Sequence, residues 1–153
     1  MEYELIFYTK NKNIIFNPTV NIYMEIPPDK KVMEIGASIF WFGEEGILYS
    51  ISKKTEPQSL EEAKKLVSEF KQVLGGRKVC MLVDVTNTSE STREVRDYAA
   101  QEFPTFIKAI AMISRSALGK MLANLFFTVK SQPYPTKMFN SETEAREWLK
   151  QYV

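Results

Sequence analysis

The stretch Val79-Cys-Met-Leu-Val83 is an apolar run of strand length, and segments with helical periodicity lie on both sides of it. A second apolar run, Phe106-Ile-Lys-Ala-Ile-Ala-Met-Ile113, follows the next helical segment. Strands that alternate with helices of about ten to fifteen residues are typical of a parallel sheet covered by helices. From residue 60 onward, the sequence therefore predicts an α/β fold with a mixed, mostly parallel sheet flanked by four helices.

Three segments carry the sequence pattern of a capping box. They are Ser59-Leu-Glu-Glu62, Ser91-Thr-Arg-Glu94 and Ser141-Glu-Thr-Glu144. In this motif the serine hydroxyl accepts a hydrogen bond from the amide three residues later, and the glutamate side chain bonds back to the serine amide. Together with the apolar periodicity, these three starts predict helices over Leu60–Leu74, Thr92–Glu102 and Glu142–Tyr152, and periodicity alone predicts a fourth over Ala117–Lys130.

A hairpin is predicted before the first helix. Two apolar runs, Ile35–Phe42 and Ile47–Lys53, flank the short loop Gly43-Glu-Glu-Gly46. Residues 1–35 alternate less clearly and predict an N-terminal extension of one or two edge strands. The remaining predicted strands are Lys78–Val85, Phe106–Ile113 and Thr136–Phe139. No linker or repeat divides the chain, which predicts a single domain over residues 1–153 with residues 36–153 as its core.

Composition indicates an ordinary globular protein. The 153 residues are 44% hydrophobic and 25% charged. The acidic start Met1-Glu-Tyr-Glu4 does not resemble a secretory signal, and no stretch reaches the roughly 20 apolar residues of a membrane-spanning helix. The single cysteine, Cys80, fits a reducing compartment. We therefore expect a cytoplasmic protein in which Cys80 is buried and its thiol pKa is not lowered.

Charge is unevenly distributed along the chain. Residues 103–141 contain no Asp or Glu but carry five basic side chains, whereas the other residues hold 15 basic and 19 acidic ones. The basic residues are spread over two strands and a helix, so they do not form the clustered footprint of a nucleic-acid-binding protein. Scattered, solvated lysines are the favoured interpretation, and a weak preference for an anionic partner is the alternative.

Few residues of the chain suit catalysis. The absence of histidine removes the commonest general base and an important metal ligand, and a single cysteine leaves no zinc-binding set. No glycine-rich nucleotide-binding spacing is present. We expect no enzyme activity, no cofactor and no metal site. Asp84, at the end of the central strand, is either an acceptor for the following loop amides or a catalytic acid, and the first role is favoured.

The segment after Asp84 is rich in hydroxyl side chains and is a candidate interaction loop or phosphorylation loop. Its hydroxyl residues are Thr86, Thr88, Ser89, Ser91 and Thr92. Free amides at a helix start favour a bound or covalent phosphate. The favoured alternative is that Ser91 is the N-cap of the helix, with Glu94 completing its capping box.

The helix predicted over Ala117–Lys130 supplies a candidate contact surface. Its core-facing arc is expected to comprise Leu118, Met121, Leu122, Leu125, Phe126 and Val129. Phe127, Lys120 and Ala123 would then face outward. Phe127 is a large apolar group to leave in water. Either it is a single exposed aromatic residue, which is common on protein surfaces, or this face contacts a second copy of the chain or a lipid.

Several segments resemble the small SpoIIAA-like, STAS-related bacterial domains, some of which are labelled STAS or CRAL-TRIO-type. They are Gly46-Ile-Leu-Tyr-Ser-Ile-Ser-Lys-Lys54, Ser59-Leu-Glu-Glu-Ala-Lys64, Val83-Asp-Val-Thr-Asn87, Pro133-Tyr-Pro-Thr-Lys-Met-Phe139 and Trp148-Leu149. The resemblance covers about residues 36–153. It implies a four- or five-stranded mixed sheet flanked by helices, and a non-enzymatic role in binding a protein partner or a small apolar ligand.

One branch of the STAS superfamily, the anti-anti-sigma proteins, carries a phosphorylatable Ser or Thr in an Asp-Ser-Ser-Gly stretch. The corresponding stretch here is Glu90-Ser-Thr-Arg93, which lacks the aspartate and the glycine. Two hypotheses remain. The first is a regulatory or protein-interaction domain that acts through the loop from Asp84 to Thr92. The second is a carrier or sensor of a small hydrophobic or lipid ligand bound between sheet and helices.

Overall fold

The computed structural model describes residues 24–53, 56–128 and 132–153, and for residues 126–128 it describes the backbone alone. A six-stranded sheet has the order β1-β2-β3-β4-β5-β6. The strands are β1 (Val32–Ile35), β2 (Ser38–Phe42), β3 (Leu48–Ser52), β4 (Val79–Asp84), β5 (Ile107–Ile113) and β6 (Thr136–Phe139). The first three are antiparallel neighbours, and β3 to β6 run parallel. The α/β fold with a mixed, mostly parallel sheet is confirmed.

Four helices flank this sheet: α1 (Leu60–Leu74), α2 (Arg93–Glu102), α3 (Ala117–Thr128) and α4 (Glu142–Leu149). Helices α1, α2 and α3 lie on one face, where Val67, Phe70 and Ala123 join a core with Met81 and Ile110. Helix α4 covers the other face through Ala145 and Leu149. Both faces of β4 are therefore buried, which explains its nearly continuous apolar sequence.

The hairpin at Gly43–Gly46 forms as predicted, but the strand predicted over Ile35–Phe42 is interrupted, because β1 ends at Ile35 and β2 begins at Ser38. Ile35 and Ser38 are paired across a two-residue turn, Gly36-Ala37, in which Gly36 has a φ of +56°. Glycine adopts this conformation without steric cost, so the chain folds back and forms β1. Part of the predicted N-terminal extension is thus an edge strand. Residues 24–26 of the predicted extension are not in a strand, and residues 1–23 lie outside the described part of the chain.

The predicted capping boxes have three different outcomes. Ser59 has both hydrogen bonds of the box, and Ser141 accepts from the Glu144 amide at 3.2 Å. The prediction for Ser91 is wrong, because the N-cap of α2 is Thr92, whose Oγ1 accepts from the Val95 amide at 3.3 Å. Helix α2 therefore starts one residue later than predicted.

The predicted orientation of α3 is also wrong. Leu118, Met121 and Leu125 were expected in the core but are 56%, 58% and 47% exposed. Leu122 is buried as predicted, but the helix also buries Ala123, which was predicted to face outward. Its close approach is made at Gly119, where a Cβ would lie 2.3 Å from the Val85 carbonyl oxygen. Packing through this glycine turns the helix by about a quarter turn from the orientation that its large apolar residues favour.

Candidate functional site

A cavity of about 440 Å³ lies between the sheet and helices α1, α2 and α3. Its floor is the face of β2 to β5 that α1, α2 and α3 cover. Phe40, Met81 and Ile110 belong to this floor. Helix α1 packs against α2, and α3 approaches the Val85 and Thr86 carbonyl oxygens at Gly119. The opening between these helices gives the sheet an apolar surface that no helix of the described chain fully covers.

One end of the cavity is aromatic. Phe70 of α1 stacks on Phe106 with ring centroids 6.0 Å apart, and Phe103 meets Phe106 edge-on at 5.5 Å. Phe40 of β2 contacts Phe70 at 4.5 Å, also edge to face. Phe106 directly precedes β5 and lies at the amino-terminal edge of the parallel strands, whereas Phe40 is paired with Ser50 and lies nearer the middle of the sheet. The result is a rigid, apolar wall.

The opposite end carries hydroxyl groups from two neighbouring strands. Ser38 of β2 is the pairing partner of Ser52 of β3, and Ser50 lies two residues before Ser52 on the same face. Ser50 is only 3% exposed. Because β3 ends at Ser52, this serine end lies at the carboxyl edge of the parallel strands, where open α/β sheets carry ligand sites.

The loop after β4 forms the rim beside this end. The Asp84 carboxylate is 2% exposed and accepts from the Thr86 amide at 2.9 Å and from Thr86 Oγ1 at 2.5 Å. Thr86 Oγ1 in turn accepts from the Arg115 amide at 3.1 Å, which ties the rim to the segment before α3. Asp84 thus has the hydrogen-bonding role that the sequence favours.

The structure brings some of the predicted loop residues to the cavity. Thr88, Ser89 and Ser91 line it, whereas Thr86 holds the loop in shape and Thr92 caps α2. The Arg96 guanidinium donates to the Ser91 carbonyl and fixes the last part of the rim. The predicted interaction loop and the predicted ligand space between sheet and helices are therefore adjacent.

The predicted contact surface on α3 is not assembled as expected. Ala123 is 2% exposed and packs in the core, so it cannot belong to an outward face, and Lys120 is half-buried. The Phe127 side chain lies outside the described residues. The exposed apolar stripe of α3 consists instead of Leu118, Met121 and Leu125, of which the last two line the cavity.

The serine end is not among the sites predicted from the sequence. Ser50 and Ser52 alternate with Tyr49 and Ile51 in a strand that the sequence predicts as half of a hairpin. The available signal was the period of two, which places both hydroxyls on one face of β3. Only the structure shows that this face is the one covered by α1 to α3.

Cys80 lies on the opposite face of the sheet, away from the cavity. It is 2% exposed, and burial raises the pKa of its thiol, with a smaller opposing effect from Lys108. The predicted burial and the unlowered pKa are both confirmed. Within residues 24–53, 56–128 and 132–153, no cluster of side chains suits a metal ion. No helix among them is both long and apolar enough to span a bilayer.

Comparison with known proteins gives a family and two solved structures. Residues 40–153 match the model of a family described as a domain of unknown function, DUF7793. An uncharacterised DUF3478-family protein from Shewanella loihica PV-4, which has a SpoIIAA-like fold, is 15% identical, with 78% of this chain and 91% of that chain covered and a TM-score of 0.45. A protein of unknown function from Arthrobacter sp. FB24 is 28% identical, with 72% and 90% covered and a TM-score of 0.27. No curated protein matches the sequence.

Proposed function

This chain belongs to the DUF7793 family of domains of unknown function, and we propose that it binds one small apolar or amphipathic molecule between its sheet and helices α1 to α3. The observation that carries this proposal is the cavity of about 440 Å³. Small-molecule sites typically occupy about 300–1,000 Å³ and are lined by apolar side chains with a few polar groups. Protein cores otherwise contain few voids larger than a water molecule.

The residues that line the cavity favour ligand binding over catalysis. Within the described residues, the ionisable side chains that line the cavity are Glu90, Arg96 and Tyr98. Glu90 is exposed at the rim, and Arg96 donates to the Ser91 carbonyl. No nucleophile with an adjacent base is formed by these groups, so a carrier or sensor role is better supported than catalysis. We place this role in the cytoplasm, where a buried cysteine stays a thiol.

Binding of 1,6-diphenylhexatriene, a hydrocarbon that fluoresces in apolar surroundings, tests this proposal. We expect saturable binding by the wild-type protein and at least tenfold weaker binding by Leu122→Trp, since the indole would occupy the cavity. Leu118→Trp is the matched control, because Leu118 is on the same helix but is exposed and does not line the cavity. Absence of saturable binding to wild type, or equal binding by all three proteins, would contradict the proposal.

The second candidate is the regulatory or protein-interaction role. It is supported by the exposed stripe of Leu118, Met121 and Leu125, which lies beside the rim of the cavity. Apolar groups that remain together on a surface favour a protein contact. If the partner is a second copy, light scattering should give a dimer for wild type and a monomer for Leu118→Asp. A monomeric wild type would refute the homodimer.

A further inference from the structure

The two ends of the cavity differ in chemistry, and this difference restricts the ligand. Resting on the proposed function, we propose that the ligand is an amphiphile with an uncharged, hydrogen-bonding head group, such as a hydroxyl or amide. The head lies against Ser38, Ser50 and Ser52, and the apolar body extends towards Phe70 and Phe106.

The strand register brings the three serines together. Ser38 and Ser52 are directly paired across β2 and β3, and Ser50 is the next residue along β3 on the same face. Side chains at directly paired positions have Cβ atoms about 4.5–5.5 Å apart, close enough for one head group to reach two hydroxyls. Because these serines are part of strands in the middle of the sheet order, their positions are fixed before any ligand binds.

The hydroxyls at this end can form hydrogen bonds with a polar head group but not with an alkane end. Ser50 is 3% exposed and borders the cavity. A hydroxyl held against apolar groups without a partner loses the hydrogen bonds that it makes in water. A serine hydroxyl both donates and accepts, which matches a hydroxyl or amide head better than an alkane end.

Charge at the cavity disfavours an ionised head. Of the described lining residues, Glu90 and Arg96 have opposite charges, so the lining has no net charge at neutral pH. The Arg96 guanidinium donates to the Ser91 carbonyl and is oriented along the rim. An ionised carboxylate or phosphate placed at the serine end would lose hydration without gaining an excess of positive charge.

The aromatic end accommodates the body of the molecule. Phe40, Phe70 and Phe106 contact one another in series, with centroid distances of 4.5 and 6.0 Å. Phe106 precedes β5 at the opposite edge of the sheet from Ser38 and Ser52, and Phe40, the pairing partner of Ser50, lies between the two ends. The axis of the cavity therefore runs from the hydroxyls to Phe106. An amphiphile can satisfy both ends only in one direction.

Competition against bound diphenylhexatriene tests this inference with probes that share one alkyl chain. Dodecan-1-ol should displace the probe from wild type at a concentration at least tenfold lower than dodecanoate at pH 8. Ser50→Ala should weaken dodecanol binding about three- to tenfold more than it weakens diphenylhexatriene binding, the value of one neutral hydrogen bond. Ser68→Ala is the control, because Ser68 is exposed on α1 and does not line the cavity.

The outcomes are distinguishable from those of the proposed function. If diphenylhexatriene binds but dodecanol and dodecanoate compete equally, or if Ser50→Ala has no more effect than Ser68→Ala, the head-group inference is wrong and the cavity remains a ligand site. If the probe does not bind wild type, both proposals fail. Should Ser50→Ala lower the melting temperature strongly, Ser52→Ala provides the same comparison.

Discussion

Two adjacent hydroxyl side chains at the start of α2 have different roles. Thr92 has extended backbone angles, with φ −66° and ψ 160°, and caps the helix through the Val95 amide. Ser91 lies in the loop that lines the cavity, and its carbonyl accepts from Arg96. The Ser91 side chain thus belongs to the rim of the cavity, while the Thr92 hydroxyl stabilises the start of the helix.

This division predicts a difference between two matched substitutions. Thr92→Ala should lower the free energy of unfolding by about 1 kcal/mol, because it removes the acceptor for an amide at the helix start. Ser91→Ala should change it by less than about 0.5 kcal/mol, as is usual away from such contacts. Urea denaturation of both variants measures the difference. The reverse order would restore Ser91 as the cap.

The capping sequence alone could not distinguish these neighbours. Both serine and threonine are good N-cap residues, and Glu94 is three residues after Ser91. The structure lacks the box there because Ser91 is held in the loop by Arg96, a contact that depends on the packing of α2 beside the rim. At Ser59, where no such contact competes, the box forms as predicted.

At the scale of one element, α3 is oriented by its smallest residue. A Cβ at Gly119 would lie 2.3 Å from the Val85 carbonyl oxygen and 2.8 Å from Ser114 Oγ. Backbone oxygen atoms cannot move away as a flexible side chain can, so only glycine allows this approach. The consequence is that Leu118 and Met121 face solvent beside the cavity.

Gly119→Ala should therefore destabilise the protein, even though alanine is the better helix former by about 1 kcal/mol. We expect a loss of about 1–3 kcal/mol, as for overpacked sites, measured by urea denaturation. The reverse exchange at the exposed Ala117, Ala117→Gly, should cost no more than about 1 kcal/mol. If Gly119→Ala is neutral or stabilising, α3 does not approach the loop at this residue.

Elements were predictable from sequence where one pattern dominates. Helix α1 has its predicted bounds because an N-cap serine, an apolar stripe and the Gly75 C-cap all agree. Strands β4 and β5 follow from apolar runs. The orientation of α3 was not predictable, because its large apolar residues outweigh Gly119 in any periodicity, and the contact of Gly119 with Val85 joins residues that are distant in sequence.

At the scale of the whole molecule, the two faces of the sheet are packed differently. On one face, Ala145 and Leu149 of α4 are fully buried against Cys80 and Leu82. On the other, three helices leave the cavity between them. The sequence could not show this difference, because both faces are lined by similar apolar residues and the space depends on how three helices are spaced.

Replacing one buried alanine on each face by leucine tests the difference between the two faces. Ala99 of α2 is 5% exposed and lines the cavity, whereas Ala145 of α4 is 0% exposed and packs in the opposite core. Ala99→Leu should raise the free energy of unfolding by about 0.5–2 kcal/mol, as cavity-filling changes do, and weaken diphenylhexatriene binding at the same time. Ala145→Leu should lower it by about 1–3 kcal/mol, since the extra atoms have no space, and leave probe binding unchanged in the folded protein. Urea denaturation and probe titration of both variants give the comparison.

Equal destabilisation by the two leucines would mean that both faces are close-packed in solution, and the ligand site would then have to lie elsewhere.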